Sequence, residues 1–472
     1  MPILLADSKN RYIYSEKNKY TIFVPNSLLE FHDCNKDIYY QKKYEFLKEK
    51  GFFLENKIEF ETRYEEYNVL LNLANLRQML IEVTDFCNLK CKYCGYGDLY
   101  SNHDQRETKN QSFENVKIVI DYLINLWNSK YNISVNNIFS VGFYGGEPLL
   151  NMKLIKQIIS YLENKSEIKI SFDYNMTTNA ILLDRYMDFI VEKEIRLLIS
   201  LDGDKYGSSY RVDKNGKESF DKVVSNVRKL QESYPDYFNN NVNFNVVLHD
   251  RNSVYNSIKY IRDEFGKIPR ISELNSSGIS KDKIEIFNHM FKSKLSSFRE
   301  LSNNNDSDLF DKEADNKIYY HRMLMSYTGN YYKNYFDLFN ECEKNRYIPS
   351  GTCKPFEKKI FLTVNGKLLP CERIGQEFYL GVISDGKLNI DTKGIAAFYS
   401  DVYKKLALNC AKCKWSTSCS QCFYFLAPNG KRIYCPNIFT EKKLKSYLNW
   451  FLSYSEENPH LYLELMSNIA ID

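Results

Sequence analysis

The chain has 472 residues, 64 Lys and Arg against 60 Asp and Glu, and a net charge of +4. A hydrophobic content of 43% with 38 Tyr and 30 Phe excludes general disorder. The small, dispersed charge excludes a nucleic-acid tail or a membrane-surface run. No apolar run approaches the ~18 residues of a membrane span, and Met1 to Asn10 lacks a signal-peptide layout. The reading is a soluble, cytoplasmic chain with no nucleic-acid or membrane partner. Its twelve cysteines then point to metal ligation or reactive thiols rather than disulfides.

In residues 1–78, Arg11–Tyr14 and Tyr20–Val24 predict a strand pair around the polar turn Ser15–Lys19. Helical stretches follow over 26–34 and 37–50, the second stopping at Gly51. This suits a winged-helix-like module or an irregular extension packed on the next domain. From 79 to 300, short apolar runs alternate with helical patterns. Strands are expected at 80–84, 138–143, 169–177, 195–201 and 241–248, with a sixth at 268–274. Helices are expected at 112–131, 151–164, 183–192, 219–232 and 250–265. Repeated strand–helix units require right-handed crossovers and a mainly parallel sheet. About six of them suit a partial (β/α)6 TIM barrel or an open doubly wound sheet. A helical bridge (301–345), a cysteine-rich domain (346–440) and a closing helix with tail (441–472) complete the chain.

The segment after the first strand reads Thr84-Asp85-Phe86-Cys87-Asn88-Leu89-Lys90-Cys91-Lys92-Tyr93-Cys94. Three thiolates this close can converge on one inorganic site. They fall one short of the four ligands usual for a 4Fe–4S cluster, leaving one iron open to a small molecule. Structural zinc wants four ligands, and His103 is the only nearby candidate for a fourth. Farther on come Cys353, Cys371, Cys410-x2-Cys413-x5-Cys419-x2-Cys422 and Cys435, seven cysteines in eighty-three residues. Spacing alone does not separate zinc from iron–sulfur there.

The CxxxCxxC run, with Tyr93 before its last cysteine, resembles the radical S-adenosylmethionine (SAM) enzymes. The resemblance implies that SAM chelates the open iron and is cleaved by an electron from the cluster. That yields a 5′-deoxyadenosyl radical, which abstracts a substrate hydrogen. Further motifs fall at strand C-terminal ends, where parallel sheets bind ligands. Gly145-Gly146-Glu147-Pro148 resembles the family's GGEP motif. Its glycines admit the SAM methionyl group, and Glu147 offers an acidic partner for the ammonium. Asn179 ends the third strand, and Ser200-Leu201-Asp202-Gly203 resembles the family's Ser-x-Asp-Gly. Arg211 is placed like an arginine near the SAM carboxylate, although Tyr206-Gly207-Ser208 replaces the usual His-Asp pair. Asn245-Val246 flank the adenine or belong to the core.

The C-terminal spacing resembles the SPASM domain of radical SAM peptide maturases, departing from it in the two-residue gap before Cys422. By resemblance, Cys410, Cys413, Cys419 and Cys435 hold an outer 4Fe–4S cluster. Cys353, Cys371 and Cys422 hold an inner one, with Cys342 as the fourth ligand. Three clusters plus SAM then use every cysteine except Cys34. Glu372 matches the position of an Asp that sulfatase maturases use as a base. The expected function is oxidative cross-linking, by thioether or C–C bonds, of a precursor peptide whose leader binds the N-terminal module. An external flavodoxin- or ferredoxin-type donor would supply electrons. The alternatives are formylglycine formation, as in anaerobic sulfatase maturases, and a zinc-stabilised binding protein without catalysis.

Overall fold

The apolar runs expected to be strands after residue 78 are strands, and each leads into a helix laid on the sheet. The computed structural model describes residues 3–5, 10–16, 20–24, 38–51, 58–134, 138–165, 170–294, 296–297, 320–321, 324, 348–349, 354–416, 419, 421–426, 433, 435 and 438–467. Cys34, Cys342, Cys353 and the helix expected over 26–34 lie outside them. The chain divides into two units. One comprises Met1–Tyr64, Phe310–Cys353 and Ala397–Asp472, and the other Glu65–Leu309 and Lys354–Ala396. The boundary at 396 runs through the segment expected as a single cysteine-rich domain.

In the first unit, β1 (Ile3–Leu5), β2 (Arg11–Ser15) and β3 (Tyr20–Val24) form an antiparallel sheet in that order. The β2–β3 pair is the expected hairpin, and β1 is an addition. Tyr14 from β2 joins a core with Leu444, Leu448, Phe451 and Leu452, one face of the closing helix Glu441–Glu457. Burying such apolar faces stabilises each element by roughly 25 cal/mol per Å². The nineteen-residue helix Thr392–Cys410 was not expected. Its buried Ile395, Tyr399, Val402, Tyr403 and Leu406 follow a helical repeat. Gly394 and the surrounding cysteines obscure that repeat in the sequence. Tyr399 stacks on Phe423 at 4.4 Å between centroids.

In the second unit, six strands run parallel: β4 (Gln78–Thr84), β5 (Ile138–Gly145), β6 (Ser171–Thr178), β7 (Arg196–Ser200), β8 (Val242–Leu248) and β9 (Arg270–Glu273). They lie side by side in chain order, without the reversal of order that marks a doubly wound sheet. Short strands β10 (Ile360–Leu362), β11 (Lys367–Leu369), β12 (Gly381–Ser384) and β13 (Lys387–Asn389) extend the same sheet. β10 pairs parallel to β4, and the rest pair antiparallel.

Side-chain caps set the helix starts. Ser112 Oγ accepts from Asn115 N (3.1 Å) ahead of helix Phe113–Trp127. Ser253 Oγ accepts from Asn256 N ahead of Val254–Phe265, which ends on Gly266 in the left-handed region. This last helix starts four residues later than expected, because Asn252 folds back onto His249 N (2.9 Å). Helix Pro235–Asn241, opened by proline, is a further addition.

Candidate active site

A cavity of about 450 Å³ runs along the face of β4–β9 and opens at their C-terminal ends. Cys87, Cys91, Tyr93 and Cys94 line it, as do Gly145, Gly146, Glu147, Asn179, Ser200, Arg211 and Glu372. Of the residues expected there, only Asp202 and Val246 do not reach the wall. Asp202 is fully buried behind Tyr93 and Arg211. Val246 is also fully buried; the two-residue period of β8 gives the wall to Asn245 and Val247 instead. Of the pair Asn245-Val246, Asn245 thus lines the cavity and the Val246 side chain belongs to the core.

The glycines are required by packing. A Cβ on Gly145 would overlap the Thr84 carbonyl oxygen, and one on Gly146 the Phe86 carbonyl oxygen. Gly145 also has φ +134°, a conformation L side chains rarely adopt. This close approach lets Gly146 N donate to Thr84 O (2.8 Å) and Glu147 N to Phe86 O (2.9 Å), clamping the cysteine loop to the end of β5. The Glu147 carboxylate accepts from Thr178 Oγ1 (2.6 Å), Asn179 N (2.8 Å) and Leu149 N (3.1 Å). Burial raises its pKa against these donors. It thus joins the ends of β5 and β6 and keeps limited capacity for a ligand.

The three thiols are free and mutually close. Burial pushes Cys87 up to about 12, and charge on Cys91 or Cys94 would push it further. Cys91 is raised to about 11 by burial, although Arg211 pulls it down. Such thiols stay protonated at neutral pH unless a metal takes the proton's place. Amide donors are aimed at the Cys87 sulfur from Leu89 N (3.4 Å) and Asn179 Nδ2 (3.7 Å). Among the described residues no three His, Cys, Asp or Glu side chains converge tightly enough for a single metal ion. Cluster thiolates each bind a separate iron and stand farther apart, so the donor set fits an iron–sulfur cluster. Arg211, with a buried and unpartnered Nε, fits a nearby carboxylate.

Tyr93 donates its hydroxyl to Asp202 and accepts from Arg211 Nη1 (2.7 Å). Its ring stacks on fully buried His249 at 5.4 Å. Sequence reasoning missed His249, which carries no motif signal. It also missed Glu82, buried in β4 and paired with Arg106 Nη1 at 3.0 Å. Lys359, Arg373 and Gln376 join the wall because β10 pairs with β4, a long-range contact no local pattern encodes. Glu372 pairs with Lys359 at 3.0 Å; burial would raise its pKa, but this cation holds it below the usual value.

In the other unit, Cys410, Cys413, Cys419 and Cys435 line one cavity of about 310 Å³, without Cys422. Burial raises the Cys419 thiol, and Cys413 and Cys435 add to the shift. Phe439 N donates to Cys413 Sγ (3.3 Å). Four thiols line this open volume, spaced too widely for a single metal ion.

Thiols and glycine-backed turns on the C-terminal rim of a parallel sheet define a cofactor-binding α/β domain. Residues 81–255 match the model of the radical SAM superfamily. It is 28% identical over 212 residues to the radical SAM cyclopropyl synthase TigE of Paramaledivibacter caminithermalis, covering 42% of each chain. It is 29% identical over 168 residues to a cysteine-type anaerobic sulfatase-maturating enzyme of Clostridium novyi, covering 35% of this chain and 43% of that one. The chain spans less than half the length of either relative. In fold it is similar to native anSMEcpe with bound AdoMet (TM-score 0.53, 19% identity), over 83% of this chain and all of that one. Among the described residues no helix is long and apolar enough to cross a membrane.

Proposed function

We propose that this chain is a radical SAM maturase that oxidatively cross-links residues of a ribosomally made precursor peptide. The observation that carries the reading is the convergence of Cys87, Cys91 and Cys94 on the glycine-backed rim of the cavity. Cys87, Cys91 and Cys94 would hold a 4Fe–4S cluster whose open iron takes SAM. When bound, these groups supply a 5′-deoxyadenosyl radical able to abstract a substrate hydrogen. The chain's own residues hold the ligands and exclude water. Gly145 and Gly146 set the loop, Arg211 Nε offers a donor for a carboxylate, and Asn245 and Val247 offer a wall for the adenine. Glu372 stands ready to take a proton once Lys359 is drawn off it.

The proposal extends to three clusters, with Cys410, Cys413, Cys419 and Cys435 on the outer one. Cys342, Cys353, Cys371 and Cys422 would hold the inner one, in a SPASM-type domain. It also includes a partial barrel built of β4–β9, a winged-helix-like module binding a leader, a flavodoxin- or ferredoxin-type donor, and a cytoplasmic setting. Similarity to a cyclopropyl synthase supports carbon–carbon bond formation. Formylglycine formation is the second reading, favoured by the sulfatase-maturating relative. Reduced, reconstituted protein should convert SAM to 5′-deoxyadenosine; iron near zero after anaerobic purification would sink the reading. A short precursor gene next door favours cross-linking, and an adjacent sulfatase gene favours the second reading.

A further inference from the structure

Arg211 stands opposite Cys91. Lys90 N donates to Val212 O (2.7 Å) and Lys92 N to Tyr210 O (3.1 Å), and Leu89 bridges antiparallel to Asp213. This register pairs Cys91 with Arg211 at the position without cross-strand hydrogen bonds. There, Cα atoms approach to about 4.5 Å and the two side chains share a face. Arg211 is 7% exposed, and its Nη1 lies 2.7 Å from Tyr93 Oη and 3.7 Å from Asp202 Oδ2. A fixed cation and a fully buried carboxylate thus flank one of the three thiols.

We propose that Arg211 and Asp202 form an opposed pair of charges that sets the reduction potential of the Cys87/Cys91/Cys94 site. The inference rests on the cluster reading above and is distinct from any contact of Arg211 with a ligand carboxylate. Reduction adds one electron from a low-potential donor and no proton, so the site becomes more negative by one charge. A buried cation beside a thiolate stabilises that state, and a buried anion disfavours it, both more strongly than in water. Tyr93 is the positioning residue; its hydroxyl bonds to both partners and keeps them at fixed range.

The test is an EPR-monitored redox titration of the reconstituted full chain without SAM, with iron counted in each sample. Arg211→Gln should cut the reduced fraction at a fixed low donor potential about tenfold, equivalent to about 59 mV for a one-electron couple. Arg211→Lys should stay near wild type, and Asp202→Asn should shift the opposite way. Unchanged potentials in Arg211→Gln and Asp202→Asn with iron retained overturn the inference, as do shifts of the same sign. Should Arg211→Gln lose the cluster, the Asp202→Asn shift decides: upward supports, none overturns. A wild-type protein with no reducible cluster would instead defeat the family reading.

Discussion

Cys87, Cys91 and Cys94 leave a strand that is paired on both edges, β4 between β5 and β10. Their loop is then tied down by Gly146, Glu147 and the ladder to 210–213. Cys410, Cys413, Cys419 and Cys435 have a different support. Cys410 ends a helix, and Cys413 is held by its own turn to Cys410 O and by Phe439. One group is held at the rim of a sheet, whereas the other is held by a helix end and short turns. The first arrangement suits a site that must exchange a small molecule, and the second suits a permanent group.

The largest expected effect follows from that contrast. Chelating the iron should collapse hydrogen-exchange protection around 410–426 toward that of an open segment, while β4–β6 keep theirs. Equal loss in both regions would erase the distinction. Next, Cys410→Ala should remove roughly four iron per chain without touching the EPR signal of the SAM-binding cluster. Gly146→Ala sharpens the sheet side. The added methyl meets the Phe86 carbonyl and should cost about 1–3 kcal/mol in denaturant unfolding, while a surface alanine should cost nearly nothing.

The smallest effect is a pH dependence. Burial lowers the pKa of His249 despite Asp202 and Asp250, with Arg251 adding to the lowering. A folded value below the unfolded one contributes stability that is whole above about pH 6.5 and fades as pH falls through the folded value. His249→Gln should therefore flatten the acid limb of the stability curve. A limb of wild-type steepness in the variant would assign it to other groups.

Much of the parallel sheet was legible because most of its strands are short apolar or alternating runs followed by amphipathic helices, three of them capped by Ser112, Asn151 or Ser253. The cavity-facing motifs were legible because their residue types have few other uses at strand ends. Asp202 and Val246 show the limit. A motif marks proximity, but whether a side chain reaches the wall or sits behind it depends on strand parity and packing. The Tyr93–Asp202–Arg211–His249 network joins four separate segments, and Lys359 and Gln376 arrive through a pairing of β10 with β4. Such contacts leave no periodic trace. The helix Thr392–Cys410 was hidden because its apolar repeat lies among cysteines and glycine that read as loop.

The most direct test of the account is 5′-deoxyadenosine formation from SAM by the reduced full chain and by its Cys91→Ala and Cys410→Ala variants. Turnover is expected in the wild type and in Cys410→Ala, and none in Cys91→Ala. SAM cleavage that survives Cys91→Ala, or a wild-type chain that holds zinc and cleaves nothing, would contradict it.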